Sequence, residues 1–213
     1  VSHRRSPQRL DRPTGRRTPR KRVLIVCEGQ VTEVEYFEGI RDHFRSLPVE
    51  IRACKVIGLG RDPGSLVAYA IRERDKKDKE ARGQRDANLA YDEVWCVVDV
   101  DDHSTLDQAM STARKGQVHL AVSHPCFELW ILYHFETCTA ACDSDQISRK
   151  LKKHIKGYDK HLGRDFPFAD HELARERAQR ADPDHCEANR KGRNPSTNAW
   201  LIVEAIRQAG RNR

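Results

Sequence analysis

The sequence predicts an α/β fold, a mainly parallel sheet flanked by helices with a C-terminal helical extension. Three observations predict it. Short apolar runs alternate with amphipathic stretches between residues 22 and 124, acidic residues follow two of those runs, and from Pro125 the pattern turns helical. Strands alternating with helices build parallel sheets covered on both faces. In such sheets ligands collect where the strands end.

Residues 22–27 read as a short buried strand and Glu28-Gly29-Gln30 as a turn. Residues 31–46 carry Val34, Tyr36, Phe37, Ile40 and Phe44 at helical intervals. A second strand is predicted over 49–57, a glycine-bearing loop over 58–64, and a long charged helix over 65–82. The third strand, 93–98, runs into Asp99-Val100-Asp101-Asp102-His103; a helix over 105–115 and a fourth strand over 117–123 follow. Beyond Pro125, helices are predicted over 126–135, 145–155, 170–180 and 198–209, the last opened by Asn194-Pro195-Ser196-Thr197.

With 213 residues the chain suits one core and a helical extension. The expected division is a basic arm at 1–21, an α/β core at 22–124, and a helical extension at 125–213 packed on that core. Residues 1–22 hold nine basic residues against Asp11 alone, so the formal charge of +7 resides in the arm. Such an arm has too few apolar side chains to pack and is expected to order only on a polyanion; a merely solubilising terminus is the alternative. No apolar run reaches the eighteen or so residues of a membrane span. No secretory signal is expected, because only the short run 23–27 follows the basic stretch. Seven cysteines, several in apolar runs, suit reduced thiols and a cytoplasmic location. Cys138 and Cys142, with His134 and His154 near in sequence, are a weak zinc motif, since no second cysteine pair closes the shell.

The chemistry-bearing residues are acidic. Glu28 after the first strand and Asp99-x-Asp101 after the third can converge, since neighbouring strands lie about 5 Å apart. Hard carboxylate oxygens suit Mg2+ or Mn2+, which keep water positions for a phosphate to replace. Each motif alone also reads as an ordinary turn or helix cap. A phosphate-binding Gly-x4-Gly-Lys-Ser/Thr loop is absent, which argues against nucleotide hydrolysis by this chain. Phosphatases of the haloacid dehalogenase type need their Asp-x-Asp after the first strand, and receiver domains need an acidic pair where Glu28 stands alone.

Val26-Cys27-Glu28-Gly29, Thr32-Glu33-x-x-Tyr36-Phe37 and Val98-Asp99-x-Asp101-Asp102-His103 resemble the Toprim pattern. His124-Pro125-Cys126-Phe127-Glu128-x-Trp130, ending in His134-Phe135, and the later Asn194-Pro195-Ser196-Thr197 resemble the RloB-like family, in which Asn more often stands where this chain has His124. The resemblance runs from about residue 22 to 206. It implies a Toprim-like core, a metal held by Glu28, Asp99 and Asp101, and a further catalytic carboxylate at Glu128. It also implies phosphodiester hydrolysis in phage defence, often beside an ATPase partner, with Glu28 as the usual general acid or base.

Expected substrate contacts are His103, His124, Lys191 and Arg193, with the Arg149–Lys153 run as a further basic face that could equally be solvated. Of Glu33 and Glu35, at most one is expected to face the site, and Ser196 and Thr197 read first as caps. The leading expectation is a metal-dependent endonuclease acting on DNA or RNA. Its rival is a non-catalytic or latent nucleic-acid-binding partner subunit of a defence complex. Self-association is compatible with either.

Overall fold

A computed structural model describes residues 21–29, 31–47, 49–55, 62–100 and 105–211. The basic arm and the Asp101–Asp102–His103 run lie outside the described residues. Five strands form one sheet in the order β2-β1-β3-β4-β5. They are β1 (Lys21–Cys27), β2 (Val49–Lys55), β3 (Glu93–Asp99), β4 (His119–His124) and β5 (Ser196–Thr197). The first four are mutually parallel and β5 is antiparallel to β4.

Strand alternation divides the core in two. Leu24, Val26, Val94, Cys96, Val98, Leu120 and Val122 face α2 (Pro63–Gln84) and α3 (Leu106–Lys115), which cover them with Leu66, Val67, Ala70, Ala109 and Met110. Val23, Ile25, Cys27, Trp95, Val97 and Ala121 face the other way, into a larger cluster. That cluster is built by α1 (Thr32–His43), α4 (Glu128–Tyr133), α5 (Ser144–His154), α6 (His171–Ala181) and α7 (Trp200–Arg211). Tyr36 sits at its centre, its ring against Phe37, Phe127, Trp130, His134, Phe166 and Phe168. The fold is therefore the predicted α/β sheet with a helical C-terminal half. No helix among the described residues is long and apolar enough to cross a membrane.

Boundaries depart from the predicted ones where side chains take over backbone hydrogen bonds. The long helix starts at Pro63 rather than 65 because Asp62 caps it, accepting the Ser65 N–H at 2.8 Å with proline in the first turn. The last helix starts at Trp200 because Ser196 and Thr197 pair with β4 as a strand. Thr197 Oγ1 still accepts the Ala199 N–H at 3.3 Å. The Ser123 and Thr197 hydroxyls meet at 2.8 Å across that pairing.

The outer edge of β4 is completed by two asparagines acting as strand surrogates. Asn189 accepts the Leu120 N–H on its side chain at 2.7 Å and donates its own N–H to the Leu120 carbonyl at 3.0 Å. Asn198 does the same to Val122, at 2.7 and 3.3 Å, and its amide also donates to the Glu187 carbonyl. Asn189 takes a positive φ of 60°, a conformation asparagine tolerates better than most residues.

Asn198→Ala strands the buried Val122 N–H and is expected to cost about 1–3 kcal/mol in chemical denaturation. Leu173→Ala, on the one large apolar side chain that is exposed among the described residues, is the control and should stay within about 0.5 kcal/mol. Equal effects of the two would mean that the β4 edge does not depend on the Asn198 side chain.

Candidate functional site

β1 and β3 are hydrogen-bonded neighbours, and both end in a carboxylate at the same margin of the sheet. Glu28 extends the β1 ladder by one residue, donating its N–H to the Val97 carbonyl at 3.3 Å. Its Oε2 lies 3.5 Å from the N–H of Asp99, the last residue of β3. Glu28 and Asp99 are thus brought together by parallel register alone. Asp101, Asp102 and His103 fall outside the described residues, so their arrangement is not part of this geometry.

A second pair of carboxylates adjoins the first. Glu128 opens α4 and is buried. Lys160 places its ammonium 2.5 Å from Glu128 Oε1. Thr32 donates its hydroxyl to the Lys160 carbonyl at 2.9 Å and lies 3.4 Å from the same Glu128 oxygen. Lys160 holds this position with a φ of +87°, a left-handed conformation costly for a side-chain-bearing residue. The Cys126 thiol is buried near Glu128 and within reach of the Asp99 charge. Burial, and then the charges of Glu128 and Asp99, push its pKa up, so it is a protonated thiol rather than a nucleophile.

Glu33 is the acid facing inward from α1, and Glu35 is not. Glu35 instead accepts the Leu162 N–H at 3.0 Å and pairs with His161. The Glu33 carboxylate folds back over Gly29, where a Cβ would come within 1.9 Å of Glu33 Oε1. Glycine is what leaves that space. Burial pushes the Glu33 carboxyl up to about 6, and the Glu128 charge adds to the effect. Its own N–H, Lys160 and the Gly29 N–H oppose it. A helix-start carboxylate beside a Glu-Gly turn is the sequence signal that identifies it, but only the backbone trace separates Glu33 from Glu35.

The other predicted contacts form a separate group on the β5 side. His124 Nδ1 donates to the Gly192 carbonyl at 3.2 Å, flanked by exposed Lys191 and Arg193. Arg193 is engaged structurally: its backbone N–H donates to Asp182 at 2.9 Å and its guanidinium to the Ala181 carbonyl at 3.0 Å. Ser196 is fully buried, its hydroxyl filling the space that a side chain at Gly192 would need. The Cys138 and Cys142 sulfurs are 3.8 Å apart as free thiols. Among the described residues no three His, Cys, Asp or Glu side chains converge as a metal shell, which leaves the weak zinc motif without support.

The donor chemistry of the first group fits a hard divalent cation better than any soft metal. Glu28, Asp99, Glu33 and Glu128 offer only carboxylate oxygens, and Lys160 is the cation paired within the group.

A family model described as RloB-like protein matches residues 23–206. No curated protein and no solved structure matches the chain.

Glu33 gives a signed pH dependence in metal-free protein. Its folded pKa of about 6 lies above the ordinary 4.5, so its contribution is fully present below 4.5 and is lost as pH rises through about 6. Glu33→Gln should therefore match the parent below that window and exceed its stability above it by about 2 kcal/mol. Denaturant melts of both proteins in chelator measure this. A parent-to-variant difference that does not change with pH would show that Glu33 is not held as a buried carboxyl.

Proposed function

The chain belongs to the RloB-like family, and from that premise we propose that it is a Toprim-type, metal-dependent nuclease that hydrolyses phosphodiester bonds of DNA or RNA. The observation that carries this reading is the meeting of Glu28 and Asp99 at the ends of two hydrogen-bonded parallel strands. Glu28 and Asp99 would hold Mg2+ or Mn2+, with Asp101 as a further ligand from beyond the described residues. When bound there, the metal supplies positive charge to the scissile phosphate and to the oxygens that attack and leave.

The chain's own residues have distinct tasks in this reading. Glu28 and Asp99 would hold the ion that positions the phosphate, and Glu28 would also serve as general acid or base. Glu33, whose carboxyl burial pushes up to about 6, can hold or release a proton beside them. Glu128 is paired with Lys160 and contributes a further carboxylate near the strand ends. Lys191 and His124 lie where substrate backbone would pass beyond the β4 end, whereas Arg193 acts chiefly through Asp182.

By the same resemblance, the setting is cytoplasmic phage defence with an ATPase partner. The rival reading is a latent or non-catalytic nucleic-acid-binding subunit of a defence complex, in which completion of the site by substrate, by Asp101 or by a partner would govern activity.

Glu28→Gln, Asp99→Asn and Asp101→Asn should each reduce Mg2+- or Mn2+-dependent cleavage to background with thermal stability unchanged, because each removes a ligand charge but keeps volume. Asp102→Asn should be milder, since adjacent residues on an extended segment point apart. Cleavage at parental rates by all three folded variants would sink the assignment. Removing residues 1–21 should weaken nucleic-acid binding and flatten its salt dependence, while cleavage at saturating substrate persists. An unchanged salt slope would mean that the arm does not contact phosphate.

A further inference from the structure

One flank of α5 is an open groove of about 590 Å3, lined by Thr137, Thr139, Gln146, Arg149, Lys150 and Lys153 among others. The four helical members are spaced i, i+3, i+4 and i+7 and form one polar stripe, while Ile147 and Leu151 of the same helix turn into the core. Glu136 engages Lys150 at 2.6 Å and His154 at 2.9 Å. Arg149 and Lys153 are exposed and carry no ion pair among the described residues. Basic residues in a last helical turn complement the helix dipole, and Lys152, Lys153 and His154 satisfy that need. Arg149 lies further in, where the dipole does not ask for it.

The direction of α5 links the groove to the acidic site. Ser144, its first residue, reaches the Cys126 thiol, which in turn feels the charges of Glu128 and Asp99. From that end the helix runs about 14 Å to Lys153 at 1.5 Å per residue. Arg149 and Lys153 are then about 6 Å apart along the axis, close to the separation of neighbouring phosphates along one strand.

Building on the nuclease reading, we propose that the α5 groove is the track for the phosphodiester backbone of the substrate. Arg149 and Lys153 meet phosphates spaced along one strand, the guanidinium able to engage two oxygens at once. The Thr137 and Thr139 hydroxyls supply neutral donors along the same groove. The strand is thereby led along α5 toward its amino end, where Ser144 meets Cys126 and, through it, the neighbourhood of Glu128 and Asp99.

The test is binding of the full-length chain to short labelled oligonucleotides, read by fluorescence anisotropy against salt in the presence of chelator, so that no cleavage intervenes. The parent is compared with Arg149→Gln/Lys153→Gln and with Lys152→Gln/Lys156→Gln, which removes the same charge from the same region outside the groove. The groove pair should bind more weakly at every salt concentration. Its slope of log affinity against log salt should be shallower by about 1.4 for a single strand or about 1.8 for a duplex, with the control pair close to the parent. Running single-stranded and duplex DNA and RNA in parallel identifies which backbone the groove takes. An unchanged slope in the groove pair, or equal losses in both pairs, would overturn the proposal. If the parent binds through the groove yet cleaves nothing with Mg2+ or Mn2+, the nuclease reading fails and the groove stands.

Discussion

α4 has no residue that faces solvent: Glu128, Leu129, Trp130, Ile131, Leu132 and Tyr133 are all buried. A helix apolar or buried all round must be enclosed by other elements, and every polar group on it needs a protein partner. α1, α5, α6 and α7 are arranged to meet that demand. Their apolar faces join α4 in one cluster with the sheet. Most of the polar groups are met, the Trp130 indole N–H being the buried exception without a hydrogen-bond partner among the described residues. The Tyr133 hydroxyl donates to the Cys138 carbonyl at 3.0 Å, and Arg177 donates to the Tyr133 carbonyl. His134, just past the helix, donates from Nδ1 to the Trp130 carbonyl at 3.1 Å and accepts the Tyr36 hydroxyl on Nε2 at 3.3 Å. Burial holds the pKa of that histidine down to about 3, so it stays a neutral ring with a fixed tautomer.

Glu128 is the one group on α4 that no neutral partner can satisfy. Its cation comes from Lys160 in a distant loop, and Thr32 ties that loop to the start of α1 through the Lys160 carbonyl. The Lys160 side chain remains 60% exposed, so its ammonium keeps much of its hydration while the carboxylate loses nearly all of its own. The energetic burden of the pair therefore falls on Glu128. The same tie fixes the first turn of α1, and with it the position of Glu33 over Gly29. The packing of one short helix and the anionic character of the strand ends are in this sense a single problem with a single solution.

Much of this was legible in the order of apolar runs. β1, β3 and β4 are buried on both faces and read as continuous apolar segments, so their number, order and parallel sense followed from pattern. Glu28 and Asp99 could be paired on paper because register in a parallel sheet places neighbouring strand ends side by side. β5 was not legible: two polar residues carry no alternation, and the Asn189 and Asn198 side chains that continue the pairing along β4 leave no pattern in the sequence. Nor was Lys160, whose role depends on a loop returning across many residues to a carboxylate that any nearby lysine or arginine could have served. Glu33 and Glu35 were indistinguishable in sequence, because two acids separated by one residue in a first turn differ only in which side of the helix meets the sheet.

The margins of the sheet have a consequence for the behaviour of the chain in a crowded solution. Bare peptide at a sheet margin is a template on which another molecule can add a strand, the usual route to ordered aggregation. Here the β4 side is already occupied by carboxamide side chains and a two-residue strand too short to propagate pairing. The β2 side presents exposed Glu50 and Arg52, charges that a second chain would have to desolvate in order to dock. Among the described residues, both margins are therefore poor templates for strand-by-strand polymerisation.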